Sequence, residues 1–129
     1  MRTIAIFLLL WTIYGCNNSE PSTTPSPESS IYERLDQEAF IHRLDATQNP
    51  QLVDVRTPSE YAAGTIRDAK NCDFRSEDFK SRLARYDRAH PIFLFCQAGG
   101  RSQKAAALAQ ELGFREIYEL EVGYGGYDE

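Results

Sequence analysis

From residue 31 onward, short apolar runs alternate along the chain with segments of helical spacing. Residues 51–55 form a short run with β-branched side chains, and Ile92–Phe95 is apolar at every position. An apolar run bounded by proline and a glycine-containing loop is typical of a strand buried on both faces of a parallel sheet. We therefore expect Ile92–Phe95 to be a central strand and residues 114–120 to form the last one.

Helical spacing and end signals mark the segments between these strands. Asp36 can cap the first helix, which ends before the Asn49-Pro50 pair. Thr57 and Glu60 have capping-box spacing, with proline at the first helical position between them. Glycines supply the stops of the second and last helices. The predicted helical ranges are 37–48, 58–63, 76–86 and 102–112, with 65–74 mostly extended.

Strands that alternate with short helices indicate an α/β domain. The pattern predicts a mostly parallel sheet with helices on both sides. Functional sites in such sheets lie at the carboxyl ends of the strands. The loop after Ile92–Phe95 is therefore the first candidate for a functional site.

The N-terminus has a different character. Arg2 precedes an apolar stretch of 11 residues, 4–14, far shorter than the ~20 needed to cross a bilayer as a helix. This pattern predicts a signal-peptide core. The stretch ends at Gly15-Cys16, which resembles the lipobox of bacterial lipoproteins. The resemblance implies that residues 1–15 are removed and that Cys16 is lipidated. The alternative is a hydrophobic N-terminus with an incidental cysteine.

A polar segment follows the cysteine. Ten of the 14 residues 17–30 are Ser, Thr or Pro, a composition that cannot build a core. We expect residues 16–30 to tether a folded domain, residues 31–129, to the outer side of a bacterial membrane. The sequence leaves open whether that membrane is the inner or the outer one.

Composition narrows the class of protein further. Hydrophobic residues make up 42% and charged residues 26%, which fits one globular domain rather than a disordered, collagen-like or polytopic membrane protein. The net charge is −5, and no block of Lys and Arg is present, so no nucleic-acid partner is expected. Three cysteines and two histidines lack metal-ligand spacing. We expect neither a metal nor another cofactor.

The candidate chemistry lies in the loop after Ile92–Phe95. Two adjacent glycines permit a tight bend, so backbone N–H groups and the positive end of the next helix can point at one anion. Helix N-termini and nearby cations lower the pKa of cysteine to roughly 3.5–7.5. We therefore expect Cys96 to be a thiolate nucleophile. The expected substrate-binding cradle consists of Gln97, Ala98, Gly99, Gly100, Arg101 and Ser102.

The Cys96 loop, together with Asp54-Val55-Arg56, resembles the rhodanese homology domain. The Cys-x-x-Gly-x-Arg pattern is met in full, and the resemblance extends over residues 31–129. It implies a rhodanese-like fold with a five-stranded sheet and a sulfurtransferase activity. Cys96 would take sulfane sulfur from a small donor such as thiosulfate, hold it as a persulfide and pass it to a thiol or cyanide acceptor. Further matching motifs are Ser59-Glu60-Tyr61, Gly64-Thr65-Ile66, Ala69-Lys70-Asn71 and Leu112-Gly113-Phe114.

Loop length separates two chemistries on this scaffold. The cell-cycle phosphatases that share the fold have five residues between cysteine and arginine. Here Cys96 and Arg101 enclose four, which favours sulfur over phosphate chemistry. We expect Arg101 to orient an oxyanion substrate. Asp54 and Arg56 are expected to support the site, Asp54 by accepting loop hydrogen bonds and Arg56 by pairing with Glu60.

Departures from the family pattern lie outside this loop. The usual His is replaced by Thr65, a common Gly by Asp68, the first of two glycines by Val122, and a frequent Trp by Tyr127. These changes leave open how substrate reaches the site and how the C-terminal segment, residues 122–127, packs. That segment either packs the edge of the domain or borders the pocket.

Two rival functions use the same residues. The first is a non-catalytic module that binds an anionic or thiol-bearing partner through the Cys96 loop. The second is a thiol–disulfide redox protein in which Cys72 is the resolving partner of Cys96. The simpler interpretation of Cys72 is a small apolar residue. We expect His42 and His90 to be surface residues, and no catalytic triad is proposed.

Overall fold

The computed structural model describes residues 30–129. The predicted signal peptide (1–15), the predicted lipidation site Cys16 and the predicted tether up to residue 29 therefore lie outside the described residues. Strands and helices alternate along the described range. The elements are β1 (Ile31–Leu35), α1 (Gln37–Ala46), β2 (Gln51–Asp54), α2 (Pro58–Ala62), β3 (Lys70–Asn71), α3 (Phe79–Leu83), β4 (Ile92–Phe95), α4 (Gly100–Glu111), β5 (Glu116–Leu120) and a 3₁₀ helix at Tyr124–Gly126.

The strands form one five-stranded sheet in the order β1-β5-β4-β2-β3. Every pairing in it is parallel, so the predicted α/β class and five-stranded sheet are confirmed. All residues of β4 are fully buried. The prediction that this apolar strand is central is confirmed as well, since β4 lies between β2 and β5.

Alternate residues of β4 face two separate cores, as the two-residue period of a strand requires. Ile92 and Leu94 face α3 and α4, whereas Phe93 and Phe95 face α1 and the C-terminal segment. Helices therefore cover both faces of the sheet, as predicted. No helix within residues 30–129 combines the length and hydropathy needed to cross a membrane.

The predicted helix caps are present. Asp36 accepts a hydrogen bond from the amide of Ala39 at 2.9 Å. Thr57 and Glu60 form the reciprocal capping box, with Pro58 at the first position of α2. Gly113 ends α4 with φ +87°, a left-handed conformation that favours glycine.

The predicted helix at 76–86 is wrong in extent. Only Phe79–Leu83 is α-helical, because the amides of Phe79 and Tyr86 bond to carbonyls three residues back, at Ser76 and Leu83. Such bonds make 3₁₀-type turns at both ends of the segment. The buried face, with Phe79 and Leu83, is nevertheless the one that the spacing indicated.

Two other segments differ from the sequence prediction. The range 65–74 contains only the two-residue strand β3, because the chain reverses where the amide of Ala69 bonds to Ile66 and Arg67 has φ +50°. β1 was not predicted by pattern. It is an edge strand with no buried residue, so it lacks the apolar alternation that marks a strand.

Phe40 tests the core that α1 covers. Its side chain is fully buried and packs edge-on against Phe93 at 5.5 Å between ring centroids. We expect Phe40→Ala to lower the free energy of unfolding by about 3–5 kcal/mol, because large-to-small core changes leave a cavity. Urea denaturation measures this. The control His42→Ala, on the exposed side of the same helix, should change it by about 0.5 kcal/mol or less, and equal effects would contradict the assignment.

Candidate active site

Cys96 lies where the central strand meets the N-terminus of α4. β4 ends at Phe95 and α4 begins at Gly100, two residues earlier than predicted. Gly99 caps the helix with φ +89°, and a Cβ there would lie 2.9 Å from the carbonyl of Glu121. The bend therefore requires glycine at this position. It directs the free N–H groups of the first helical turn toward the Cys96 sulfur.

The Cys96 sulfur lies inside this bend. The residue is 1% exposed, and the amide of Gly99 donates a hydrogen bond to Sγ at 3.1 Å. Burial opposes ionisation of the thiol, but the hydrogen bonds that reach the sulfur outweigh it. The pKa of Cys96 is thereby held below its ordinary value, as the sequence analysis expected. The amides that contribute belong to Ala98, Arg101 and Ser102.

A buried ion pair lies beside the loop. Arg56 donates to Asp54 through Nε at 3.0 Å and through Nη2 at 2.7 Å. Nη2 also donates to the carbonyl of Gly64 at 2.6 Å, and Nη1 to Oε1 of Gln97 at 3.4 Å. Thr65, the residue that replaces the family's histidine, donates to Asp54 at 2.9 Å. One arginine thus connects the end of β2, the end of α2 and the loop.

The predicted pairing of Arg56 with Glu60 is wrong. Glu60 instead accepts two hydrogen bonds from Arg101, at 2.8 and 2.7 Å. The Arg101 guanidinium and the Thr57 amide hold the pKa of Glu60 well below its usual range. Arg101 is therefore a bidentate anchor between α4 and α2. Its expected role in orienting an oxyanion stays a prediction.

The C-terminal segment packs directly on the loop. The amide of Tyr124 donates to the carbonyl of Cys96 at 2.7 Å, and that of Gly125 to the carbonyl of Gln97 at 3.0 Å. The Tyr124 ring lies 3.9 Å from the Arg56 guanidinium. The sequence pattern is compatible with a segment that packs the edge of the domain and with one that borders the site. The segment does both, since Tyr124 and Tyr127 also pack on the core that α1 covers.

A further buried charge, on β5, lies close to the loop and was not predicted from the sequence. Glu119 on β5 is fully buried. It accepts hydrogen bonds from Ser102 at 2.7 Å and Tyr32 at 2.5 Å, and pairs with Arg34 at 3.0 Å. The signal was a carboxylate within the apolar run 117–120, because a charge in a strand buried on both faces needs a partner.

Cys72 and Cys96 lie on opposite sides of β2. The amide of Cys72 bonds to the carbonyl of Asp54, and the amide of Val55 bonds to the carbonyl of Phe95. Adjacent strands are spaced by about 4.8 Å, so the two cysteine backbones are roughly 10 Å apart. A disulfide needs Cα atoms within about 7 Å. Both thiols are free and buried, and burial raises the pKa of Cys72.

Of the remaining predicted site residues, Gln97, Ala98 and Gly99 lie in the loop, and Gly100 and Ser102 lie in the first turn of α4. Gln97, Ala98 and Gly100 are exposed, whereas Gly99 and Ser102 are buried. Ala98, Gly99, Arg101 and Ser102 are the residues with groups that reach the Cys96 sulfur, and the role of the cradle in binding substrate stays a prediction. Among residues 30–129, no group of three His, Cys, Asp or Glu side chains is arranged to hold a metal ion.

Comparison with known proteins identifies the family. A sequence profile of the rhodanese-like domain matches residues 17–129. The chain belongs to the rhodanese-like domain family. A solved rhodanese-like domain protein from Staphylococcus aureus superposes with a TM-score of 0.65 at 23% identity, covering 75% of this chain and 92% of that one. This likeness shows that the domain has the rhodanese fold.

Curated relatives of this rhodanese-like domain include sulfurtransferases. A sulfurtransferase of Allochromatium vinosum is 30% identical over 93 residues, which are 72% of this chain and 85% of the relative. A thiosulfate sulfurtransferase GlpE of Stutzerimonas stutzeri is 38% identical over 74 residues, 57% of this chain and 65% of the relative. A tRNA uridine(34) hydroxylase of Pelagibacter ubique is 32% identical over 87 residues, 67% of this chain but only 29% of that protein.

Gly123 tests how the C-terminal segment supports the loop. It has φ +65°, and an added Cβ would lie 2.6 Å from the carbonyl oxygen of Gln97 and 2.7 Å from that of Cys96. We expect Gly123→Ala to lower the free energy of unfolding by about 1–3 kcal/mol, because a methyl group strains both backbones. Urea denaturation measures the change.

The matched control is Gly100→Ala, where nothing lies within 4 Å of the added Cβ. Gly100 is the first residue of α4, so alanine there should keep stability or raise it by up to about 1 kcal/mol. If both variants behaved alike, the close contact between the C-terminal segment and the loop would be disproved.

Proposed function

We propose that this rhodanese-like domain is a sulfurtransferase that carries sulfur on Cys96 and uses thiosulfate or a similar small molecule as donor. The observation that carries the proposal is the convergence of loop amides on the Cys96 sulfur at the N-terminus of α4. That arrangement stabilises a thiolate. The Allochromatium and Stutzerimonas relatives support the choice of reaction, and the printed name of the second supports thiosulfate.

The proposed reaction has two balanced steps. The Cys96 thiolate attacks the outer sulfur of thiosulfate, the S–S bond breaks, and sulfite leaves with the electron pair. Cys96 then holds a persulfide. A thiolate or cyanide attacks the outer persulfide sulfur, and the Cys96 thiolate is released again. Each step is a displacement at sulfur, and no external oxidant or reductant is needed.

The loop supplies stabilisation for the charge that remains on sulfur. Both Cys96 thiolate and its persulfide anion are negative, and fixed N–H dipoles act strongly where water is excluded. The guanidinium of Arg101 is already held by Glu60. Backbone groups rather than a free cation therefore provide most of the local attraction for the anion. With four residues between Cys96 and Arg101, the short loop favours sulfur over phosphate.

One observation favours a second candidate function. Cys96 is 1% exposed, which suits a module that binds a partner through the exposed Gln97 and Ala98 without reacting. Such a module would not turn over any sulfur donor. The redox alternative is less well supported, because Cys72 and Cys96 are separated by the whole of strand β2.

The sulfur-carrier role is tested by cysteine variants. We expect the native chain to convert thiosulfate and cyanide into thiocyanate and Cys96→Ser to be inactive, because a serine hydroxyl cannot form the persulfide. Colorimetric detection of thiocyanate gives the rate. The control Cys72→Ala should keep at least half of the native rate. Equal rates for native chain and Cys96→Ser would refute the proposal, and no turnover by the native chain would favour the binding module.

We further propose that Cys16 is lipidated and anchors the domain on the outer side of a bacterial membrane. The proposal rests on the short apolar stretch, Gly15-Cys16 and the Ser/Thr/Pro-rich segment that follows. Expressed in bacteria, the chain should take up labelled palmitate and sediment with membranes. Cys16→Ser should lose both properties, whereas Cys96→Ser should keep them. Palmitate incorporation that survives in Cys16→Ser would contradict the assignment.

A further inference from the structure

A buried network connects the edge strand β1 to the catalytic loop. Arg34 on β1 and Glu119 on β5 are direct neighbours in the parallel register. Glu119 reaches across to Ser102 in the first turn of α4, and Ser102 Oγ lies 3.5 Å from Cys96 Sγ. Glu119 and Ser102 are fully buried. The sulfur-transfer steps above make no use of this carboxylate.

Ser102 has one hydroxyl proton and three acceptors around it. The Glu119 carboxylate lies 2.7 Å from Oγ, the carbonyl of Gly99 3.2 Å and the Cys96 sulfur 3.5 Å. Hydrogen bonds to a carboxylate are the shorter and stronger ones. The distances therefore favour donation to Glu119, which leaves the lone pairs of the hydroxyl for the cysteine.

The second carboxylate oxygen of Glu119, Oε2, is contacted by two hydrogen-bond donors. Arg34 Nε lies 3.0 Å from Oε2, and the Tyr32 hydroxyl donates to the same oxygen. Burial and the adjacent carboxylate raise the pKa of Tyr32 well above its usual value, so its hydroxyl keeps its proton. With Ser102 on Oε1, both oxygens of the Glu119 carboxylate accept hydrogen bonds.

We propose that Glu119 is a positioning residue, which holds the hydroxyl proton of Ser102 away from Cys96 so that backbone amides alone stabilise the thiolate. The consequence is a thiolate less stabilised than the loop could make it. Thiolates of very low pKa are weaker nucleophiles. Glu119 thus sets the reactivity of the sulfur from a position on the opposite side of Ser102. The inference deepens the proposed sulfur-carrier function of Cys96.

The substitution Glu119→Gln reverses this arrangement. Arg34 can only donate, so the amide oxygen of a glutamine must face Arg34 and its NH₂ must face Ser102. Ser102 then accepts from that NH₂, and its own proton becomes free to bond to the Cys96 thiolate. We expect the pKa of Cys96 to fall by about one pH unit, the effect of one hydrogen bond to a charged group.

Other charged and titratable groups face Cys96 and must stay unchanged in the experiment. Arg101 is paired with Glu60, and Arg56 is paired with Asp54, so each cation near the loop has a carboxylate partner. Cys72 lies on the other side of β2, and its alkylation is measured separately from that of Cys96.

The test is the pH dependence of alkylation of Cys96 by iodoacetamide in the purified native chain and variants. Mass spectrometry of peptides separates Cys96 from Cys72. We expect Ser102→Ala to leave the pKa of Cys96 within about half a unit of the native value, and Glu119→Gln to lower it. Combining the two changes should abolish the lowering. Glu116→Gln, at the far end of the same strand, removes an equal charge and should produce no shift.

Two results would overturn the inference. One is a clear rise of the pKa in Ser102→Ala alone, which would mean that the hydroxyl already donates to the thiolate. The other is an equal lowering by Glu119→Gln with and without Ser102, which would mean that charge removal alone acts. The Ser102→Ala measurement decides the matter even if Glu119→Gln fails to fold. Alkylation needs no sulfur donor, so its outcome is independent of the thiocyanate assay.

Discussion

A buried ion pair holds together the segments that form the site. Asp54 and Arg56 are 0% and 2% exposed, so protein groups must take the place of water around both charges. Arg56 meets this need by contacting Gly64, Gln97 and the Tyr124 ring. Loss of one partner from a buried pair typically costs about 3–5 kcal/mol, because it leaves an uncompensated charge. The position of the loop therefore depends on a pair that touches no sulfur.

Further connections fix the loop from other directions. The C-terminal segment bonds to the carbonyls of Cys96 and Gln97, the Arg101–Glu60 pair connects α4 to α2, and Ser102 bonds to Glu119 below. The charged side chains nearest the sulfur are therefore already paired with other protein groups. What remains for an anion is a set of backbone N–H groups held in place before any substrate arrives. Such preorganised dipoles are an effective source of charge stabilisation in a buried site.

Local features of this molecule were accessible from the sequence, and long-range pairings were not. The central strand, the caps at Asp36 and Thr57, and the Cys96 bend each depend on a few neighbouring residues, and the structure contains all of them. Glu60 was recognised as a cap, but its partner Arg101 is 41 residues away. A sequence pattern does not specify which of several arginines reaches a given carboxylate. β1 was not predicted for a different reason. An edge strand with partly exposed faces has little apolar alternation in its sequence.

Sulfur transfer through Cys96 can be observed by intact-protein mass spectrometry. The reduced native chain is incubated with thiosulfate, desalted and weighed, then treated with cyanide and weighed again, with Cys96→Ser in parallel. We expect a gain of one sulfur atom on Cys96, absent from the variant and removed by cyanide as thiocyanate. A native chain whose mass does not change, or a sulfur adduct that persists in Cys96→Ser, would contradict this expectation.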